Sequence, residues 1–312
     1  MKIVIELPTW LGDSVMVSPA LINLLELFPD SELIFIGSHT SINLYKDHPK
    51  CSKTFVLQKR MLSIYRIVNL IGRCDIYITF RSTLRSKILK FFMFADSKYQ
   101  YSNKNFESKH FHQVEKYNHF INESINRKKI PKSLEIYKNI KLKKISDKKV
   151  IGINPGAAYG DAKCWPAKKY IELIGLLVDK YHIVLIGGKD DKIVSQKILP
   201  SLDNQKKSKI LNYTGLTSID ELCNLIASFD LLVTGDSGPM HIAAALKIPS
   251  IAIFGPTNFH ETSQWQNEKS VIIRQNLVCQ PCMKRTCKFK HHDCMELIEV
   301  NKVYKELETL IN

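Results

Sequence analysis

Apolar and polar positions along the chain fall into two alternating rhythms. The short apolar runs "KIVIEL" (2–7), "ELIFIG" (32–37), "KTFVL" (53–57) and "DIYITF" (75–80) read as strands, and an apolar-periodic stretch around 19–28 reads as a helix. Strands alternating with helices predict a parallel sheet with helices on its faces. The rhythm blurs between about 81 and 147, where Lys and Arg crowd the chain. There "NRKKIPKSLEIYKNIKLKKISDKK" (126–149), broken by Pro131, predicts the connection between two domains, extended near "LEIYKNIKL". The alternation then returns. "KVIGINPG" (149–156) is a strand closed by a Pro-Gly turn, a helix follows over 167–180, and "HIVLIGG" (182–188) is a second strand. A capping box, Ser218 with Glu221, opens a helix in "TSIDELCNLIASF" (217–229). "DLLVTGDSGPMHIAAAL" (230–246) is strand, turn and helix, and "PSIAIFGPT" (249–257) a further strand.

The turns carry the candidate chemistry. In "TGDSGPMHIAAAL", Gly235 and Gly238 allow a tight turn, Pro239 suits the first helical position, and Asp236 or Ser237 suits the cap. This puts a helix N-terminus at the carboxyl end of a parallel strand, where free N–H groups favour an anion and His241 can add a donor. A βα turn with ordinary caps fits the same spacing. "NPGAAYGDAKCWP" (154–166) runs from a strand into small residues, with Lys163 just before Trp165-Pro166. Lys163 reads either as a phosphate ligand or as a solvated lysine. "GGKDD" (187–191) is a third loop at that edge, or a turn with capping aspartates.

Near the start, "LPTWLGDSVMVSPALINLLELF" (7–28) holds Asp13 after Gly12. Ser18-Pro19 makes a good cap and first helical position, which leaves Asp13 in a loop as a carboxylate able to take a proton. If the helix begins near Ser14 instead, Asp13 is its cap and Pro19 lies inside, at a cost of about 3 kcal/mol.

Length and charge narrow the class. The 312 residues suit two domains, and 45 Lys and Arg against 30 Asp and Glu give +15, which implies an anionic partner. No run of about 18 apolar residues predicts a membrane span, and the first strand carries Glu6 and Pro8, unlike a signal peptide. "RSTLRSKILKFFMF" (81–94) sets Arg81, Arg85 and Lys87 beside apolar positions, suited to an anionic lipid surface or to a solvated basic helix face. No nucleic-acid recognition motif accompanies the charge, so no nucleic-acid partner is expected. Eight cysteines in a chain this long do not form a secreted disulfide pattern, and the cytoplasm is the expected compartment. Four of them, Cys279, Cys282, Cys287 and Cys294, follow C-x2-C-x4-C-x6-C near His291 and His292. The first pair resembles a metal knuckle but the later spacings match no common zinc pattern, so a bound metal and thiols pinning a loop both remain open.

Taken together, "WLGDSVMVSPAL", "GINPGAAYGDAKCWPAKKYIEL", "TGLTSIDELCNLIASFDLLVTGDSGPMHIAAALKIPSIAIFGPT" and the cysteine-rich tail resemble glycosyltransferase family 9, the lipopolysaccharide heptosyltransferases. The later blocks are most similar to members that add the second heptose of the inner core. The resemblance implies an α/β GT-B fold, two Rossmann-like domains with parallel sheets facing across a cleft. Residues 1–147 would bind the acceptor and 148–298 the nucleotide sugar, with a helix at 299–312 packing back on the N-terminal domain. It also implies Asp13 as catalytic base and Gly12, Arg81 and Arg85 at the acceptor. Lys163, Asp236, Ser237, Gly238, Pro239, Met240, His241, Ala157 and Thr217 would lie at the donor. The donor would be ADP-heptose, no metal would be required, and the acceptor would be lipid A–Kdo–heptose at the cytoplasmic surface of the inner membrane, bound peripherally. Gly235 and Pro239 depart from the commoner Asn and Leu, and 81–147 matches poorly beyond "RSTLRSK". A family member with another acceptor, and a non-catalytic nucleotide or polyanion binder, remain alternatives.

Overall fold

A computed structural model describes residues 1–58, 60–103, 111–142 and 144–312. The chain forms two compact units, Met1–Asn139 and Ile140–Asn312. In the first, strands β1 (Lys2–Glu6), β2 (Glu32–Gly37), β3 (Cys51–Val56), β4 (Cys74–Thr79) and β5 (Ala95–Gln100) form a sheet in the order β3-β2-β1-β4-β5. Every pairing is parallel. Ile3, Val4 and Ile5 are fully buried, as a strand covered on both faces requires. The strand order reverses between β1 and β4, and open α/β sheets bind ligands beyond the carboxyl ends of the strands at such a point.

In the second unit, β6 (Val150–Asn154), β7 (His182–Leu185), β8 (Ile210–Asn212), β9 (Leu231–Gly235), β10 (Ser250–Phe254) and β11 (Ser270–Arg274) form a sheet in the order β11-β10-β9-β6-β7-β8. It too is parallel throughout. Its reversal lies between β6 and β9, the strands that lead into the Lys163 loop and the Asp236 turn.

Several expectations change. The segment 11–27 is two helices, Leu11–Met16 and Ser18–Leu27, so Asp13 sits in the first turn of a short helix and not in a loop. Pro19 has no N–H to give the carbonyl of Val15, and the Ser18 hydroxyl donates to that oxygen instead at 2.8 Å. Ser18 is therefore inside the second helix and Val17 precedes it as the cap residue.

The basic connection forms no strand among its described residues. It is a strap held to the first unit, where Leu134 is buried, the Glu135 N–H donates to Ser18 Oγ at 2.9 Å, and Tyr137 packs its ring on His48. The unit boundary falls at 139, where Lys138 pairs with Asp47 while the Lys141 N–H donates to Asn224 of the second unit.

The apolar face of the last helix, Val300–Ile311, enters the second core, where Val303, Leu307 and Ile311 join Leu173, Leu177 and Ile253. Full burial of such side chains contributes about 1.5–3 kcal/mol each.

Candidate functional site

At the carboxyl edge of the second sheet, β9 ends at Gly235 and the helix Gly238–Ala245 begins after Ser237. The Lys163 ammonium donates to Asp236 Oδ2 at 2.6 Å and to the Asp236 carbonyl at 3.2 Å. Both side chains are nearly buried, 12% and 6% exposed, and the ring of Tyr159 lies 4.6 Å from the Lys163 nitrogen. A lysine has three N–H donors, so two engaged by Asp236 leave one for a ligand oxygen. Ser237 is the cap residue without making a side-chain cap bond. Its hydroxyl accepts from Asn154 Nδ2 at 2.8 Å and lies 3.0 Å from Thr234 Oγ1, which ties the ends of β6 and β9 together. Met240 and His241 are buried in the first helical turns, and Pro239 occupies the N-terminal position that needs no N–H.

Neighbouring loops share this edge. Ala157 lies in the loop after β6, and Thr217 precedes Ser218, the cap of the helix Ile219–Ala227. The "GGKDD" loop takes the plainer of its two readings. Asp191 accepts from the Gly188 N–H at 2.7 Å and fills the space beside Gly156, where a Cβ would stand 1.9 Å from its Oδ1. Burial holds the Asp191 carboxyl above its usual range.

The cysteine-rich tail braces the Lys163 loop. The Ala162 N–H donates to the Arg285 carbonyl at 3.0 Å, Tyr159 OH to the Met283 carbonyl at 2.9 Å, and the Met283 N–H to the Pro256 carbonyl at 2.8 Å. All four tail cysteines are free thiols, and burial, reinforced by the other three, pushes the Cys294 thiol up to about 11. Among the described residues, no group of three or more His, Cys, Asp or Glu is arranged to hold a metal ion.

The first sheet presents its polar groups at its own reversal. Asp13 is half-buried, and Tyr117, from the helix Gln113–Ser124, donates to its Oδ1 at 3.4 Å. Burial foremost, then the Asp13 charge, holds the Tyr117 phenol well above its ordinary range, so it stays a donor. Gly12 precedes Asp13 in the same short helix. Glu6, fully buried at the end of β1, accepts from Tyr77 OH at 2.9 Å and Ser86 Oγ at 2.8 Å. Arg81 Nη1 lies 3.4 Å from the same carboxylate. Arg85 turns away and donates to the carbonyls of Gln58 and Arg60 and to Ser63 Oγ. Burial and the nearby Arg81 charge lower its affinity for its proton.

The structure thus joins Lys163 to Asp236 directly and sets Asp13 and Arg81 at one sheet edge. Arg85 is engaged with backbone carbonyls. Sequence reasoning missed Glu6, Tyr117, Asn154 and Tyr159. Glu6 gave one signal, a carboxylate inside an apolar strand.

The sequence model of glycosyltransferase family 9 (heptosyltransferase) matches residues 71–292. Lipooligosaccharide heptosyltransferase 2 of Campylobacter jejuni is 37% identical over 322 residues, covering 100% of this chain and 98% of that protein. Lipopolysaccharide heptosyltransferase 2 of Escherichia coli is 34% identical over 167 residues, 53% of this chain and 48% of that protein. The solved E. coli ADP-heptose LPS heptosyltransferase II has the same fold, with a TM-score of 0.82 at 23% identity, over 100% of this chain and 98% of that one.

Proposed function

The chain belongs to glycosyltransferase family 9, and we propose that it works as an inverting heptosyltransferase II. It moves L-glycero-D-manno-heptose from ADP-heptose to the first heptose of the lipopolysaccharide or lipooligosaccharide inner core. What carries this reading is the full-length relation to a heptosyltransferase 2, together with the Lys163–Asp236 pair at the switch point of the second sheet.

Asp13 accepts the proton of the acceptor hydroxyl as that oxygen attacks the anomeric carbon. The bond from this carbon to the β-phosphate oxygen breaks, its electron pair leaves with ADP, and a single displacement inverts the centre. Charge grows on the departing diphosphate. Lys163, aimed by Asp236, and the N–H groups opening the helix Gly238–Ala245 stabilise that charge more in the transition state than before it. Arg81, held by Glu6, meets the anionic groups of the acceptor core, and Gly12 leaves room beside Asp13.

The lipid anchor of the acceptor puts the enzyme at the cytoplasmic face of the inner membrane as a peripheral protein. No described helix is long and apolar enough to cross a membrane. Turnover of a panel of ADP- and UDP-sugars on core acceptors with no heptose, one heptose or two tests the reading. It requires preference for ADP-heptose and the one-heptose acceptor.

A further inference from the structure

We propose that the outer face of two helices in the first unit, Leu62–Ile71 and Leu84–Phe92, docks on an anionic lipid bilayer. The inference rests on the lipid-linked acceptor of the proposed reaction. Both helices use one side for the core, where Ile64, Ile67, Val68 and Ile71 of the first meet Leu89 of the second. Their other sides should be polar if they faced only water. Instead Leu62, Tyr65 and Leu70 are 74%, 67% and 66% exposed, and Leu84 and Phe91 are 75% and 77% exposed. Exposed apolar groups gathered on one face mark an interaction surface, whereas single ones scattered do not.

The charges on this face choose the partner. Arg66 and Lys87 are exposed among the apolar side chains, and neither 60–73 nor 81–94 contains an Asp or Glu. Aromatic and aliphatic tips set among cations, with no carboxylate, fit the headgroup and acyl boundary of an anionic membrane. A second copy would bring cation against cation. Arg85 fixes the two helices at their starts through Ser63 Oγ and the Arg60 carbonyl, 3.0 and 3.3 Å away. Leu62 and Leu84 open helices that follow β3 and β4, so the face rims the sheet edge that carries Arg81.

The test is co-sedimentation of the full chain with vesicles of phosphatidylethanolamine and phosphatidylglycerol, against vesicles of phosphatidylcholine alone. The wild type should bind the anionic vesicles and release them at high salt. The double variant Leu84→Ser, Phe91→Ser should bind roughly tenfold more weakly, as loss of two interfacial anchors requires, and Lys87→Glu several-fold more weakly. Transfer to a deacylated, water-soluble acceptor should stay unchanged in both, which shows that they fold. Wild-type vesicle binding by the double variant, equal binding to both lipids, or a wild-type dimer that the double variant dissociates would each overturn the proposal. Failure of the wild type to use the soluble acceptor counts against the enzymatic reading alone, since vesicle binding is read separately.

Discussion

The hydroxyl of Tyr117 donates to Oδ1 of Asp13 across 104 residues of sequence, at 3.4 Å. The helix Gln113–Ser124 therefore orients the carboxylate, although Asp13 belongs to a different and much shorter helix. If Asp13 is the base, Asp13→Asn should lower kcat by roughly 10²–10⁴-fold while ADP binding, followed by calorimetry, stays intact. Near-normal turnover would remove Asp13 from the mechanism.

Tyr117→Phe keeps the ring contacts with Phe80 and Tyr101 and deletes the hydroxyl that donates to Asp13. A carboxylate that loses a hydrogen bond to its charged form becomes more basic. The acid limb of the pH–rate profile should move upward by less than about one unit, with modest loss of rate. An unmoved limb would mean that this hydrogen bond does not tune the base.

The proposed mechanism gives the Lys163–Asp236 pair a part in turnover beside its part in stability. Lys163→Met strands a nearly buried carboxylate and should destabilise the fold by about 3 kcal/mol, read by denaturant unfolding. The double variant Lys163→Met, Asp236→Asn should recover most of that stability. It should still lose roughly 10²-fold or more in kcat/KM for ADP-heptose, because the cation at the leaving group is gone. Recovery of activity in the double variant would show that the pair is structural only.

In the proposed mechanism Arg81 meets the acceptor, which makes Glu6 a separate handle on it. Glu6→Gln keeps the side chain's size but removes the charge that holds Arg81. The KM for the acceptor should rise several-fold while the KM for ADP-heptose stays as it was. Equal changes in both constants would point to general damage to the fold.

A stability limit at acid pH follows from His48. It is 5% exposed, its Nδ1 accepts from the Lys50 N–H at 3.1 Å, and burial, then the Lys50 charge, pushes its pKa down to about 4. An unfolded histidine titrates near 6.5, so between these values the unfolded chain binds the extra proton. The stabilisation is complete above about pH 6.5 and falls by about 3 kcal/mol as the pH drops to about 4. Denaturant unfolding across this range should show that slope, and His48→Gln should flatten it. An equally steep slope in the variant would assign it to other groups.

Most strands read from the sequence are buried on both faces, where a continuous apolar run such as "ELIFIG" has few other meanings. The missed strands β5, β8 and β11 mix polar residues into short edge segments, and "ADSKYQ" has no apolar run to betray it. The Lys163 and Asp236 turns were legible because glycine, proline and cap residues have local causes. Asp13 was legible as a residue but not in its setting. The sequence offers two rival helix starts, and the chain uses a break at Val17 that lets both helices form. Glu6 and Tyr117 act through contacts 75 and 104 residues away, which no local pattern contains.

The most direct test is mass-resolved turnover of ADP-heptose by the purified protein on an inner-core acceptor carrying one heptose. The product should be that acceptor plus one heptose joined with inverted anomeric configuration, with ADP released in equal amount. Release of ADP with no heptosylated product, or heptose added only to an acceptor lacking heptose, would contradict the assignment.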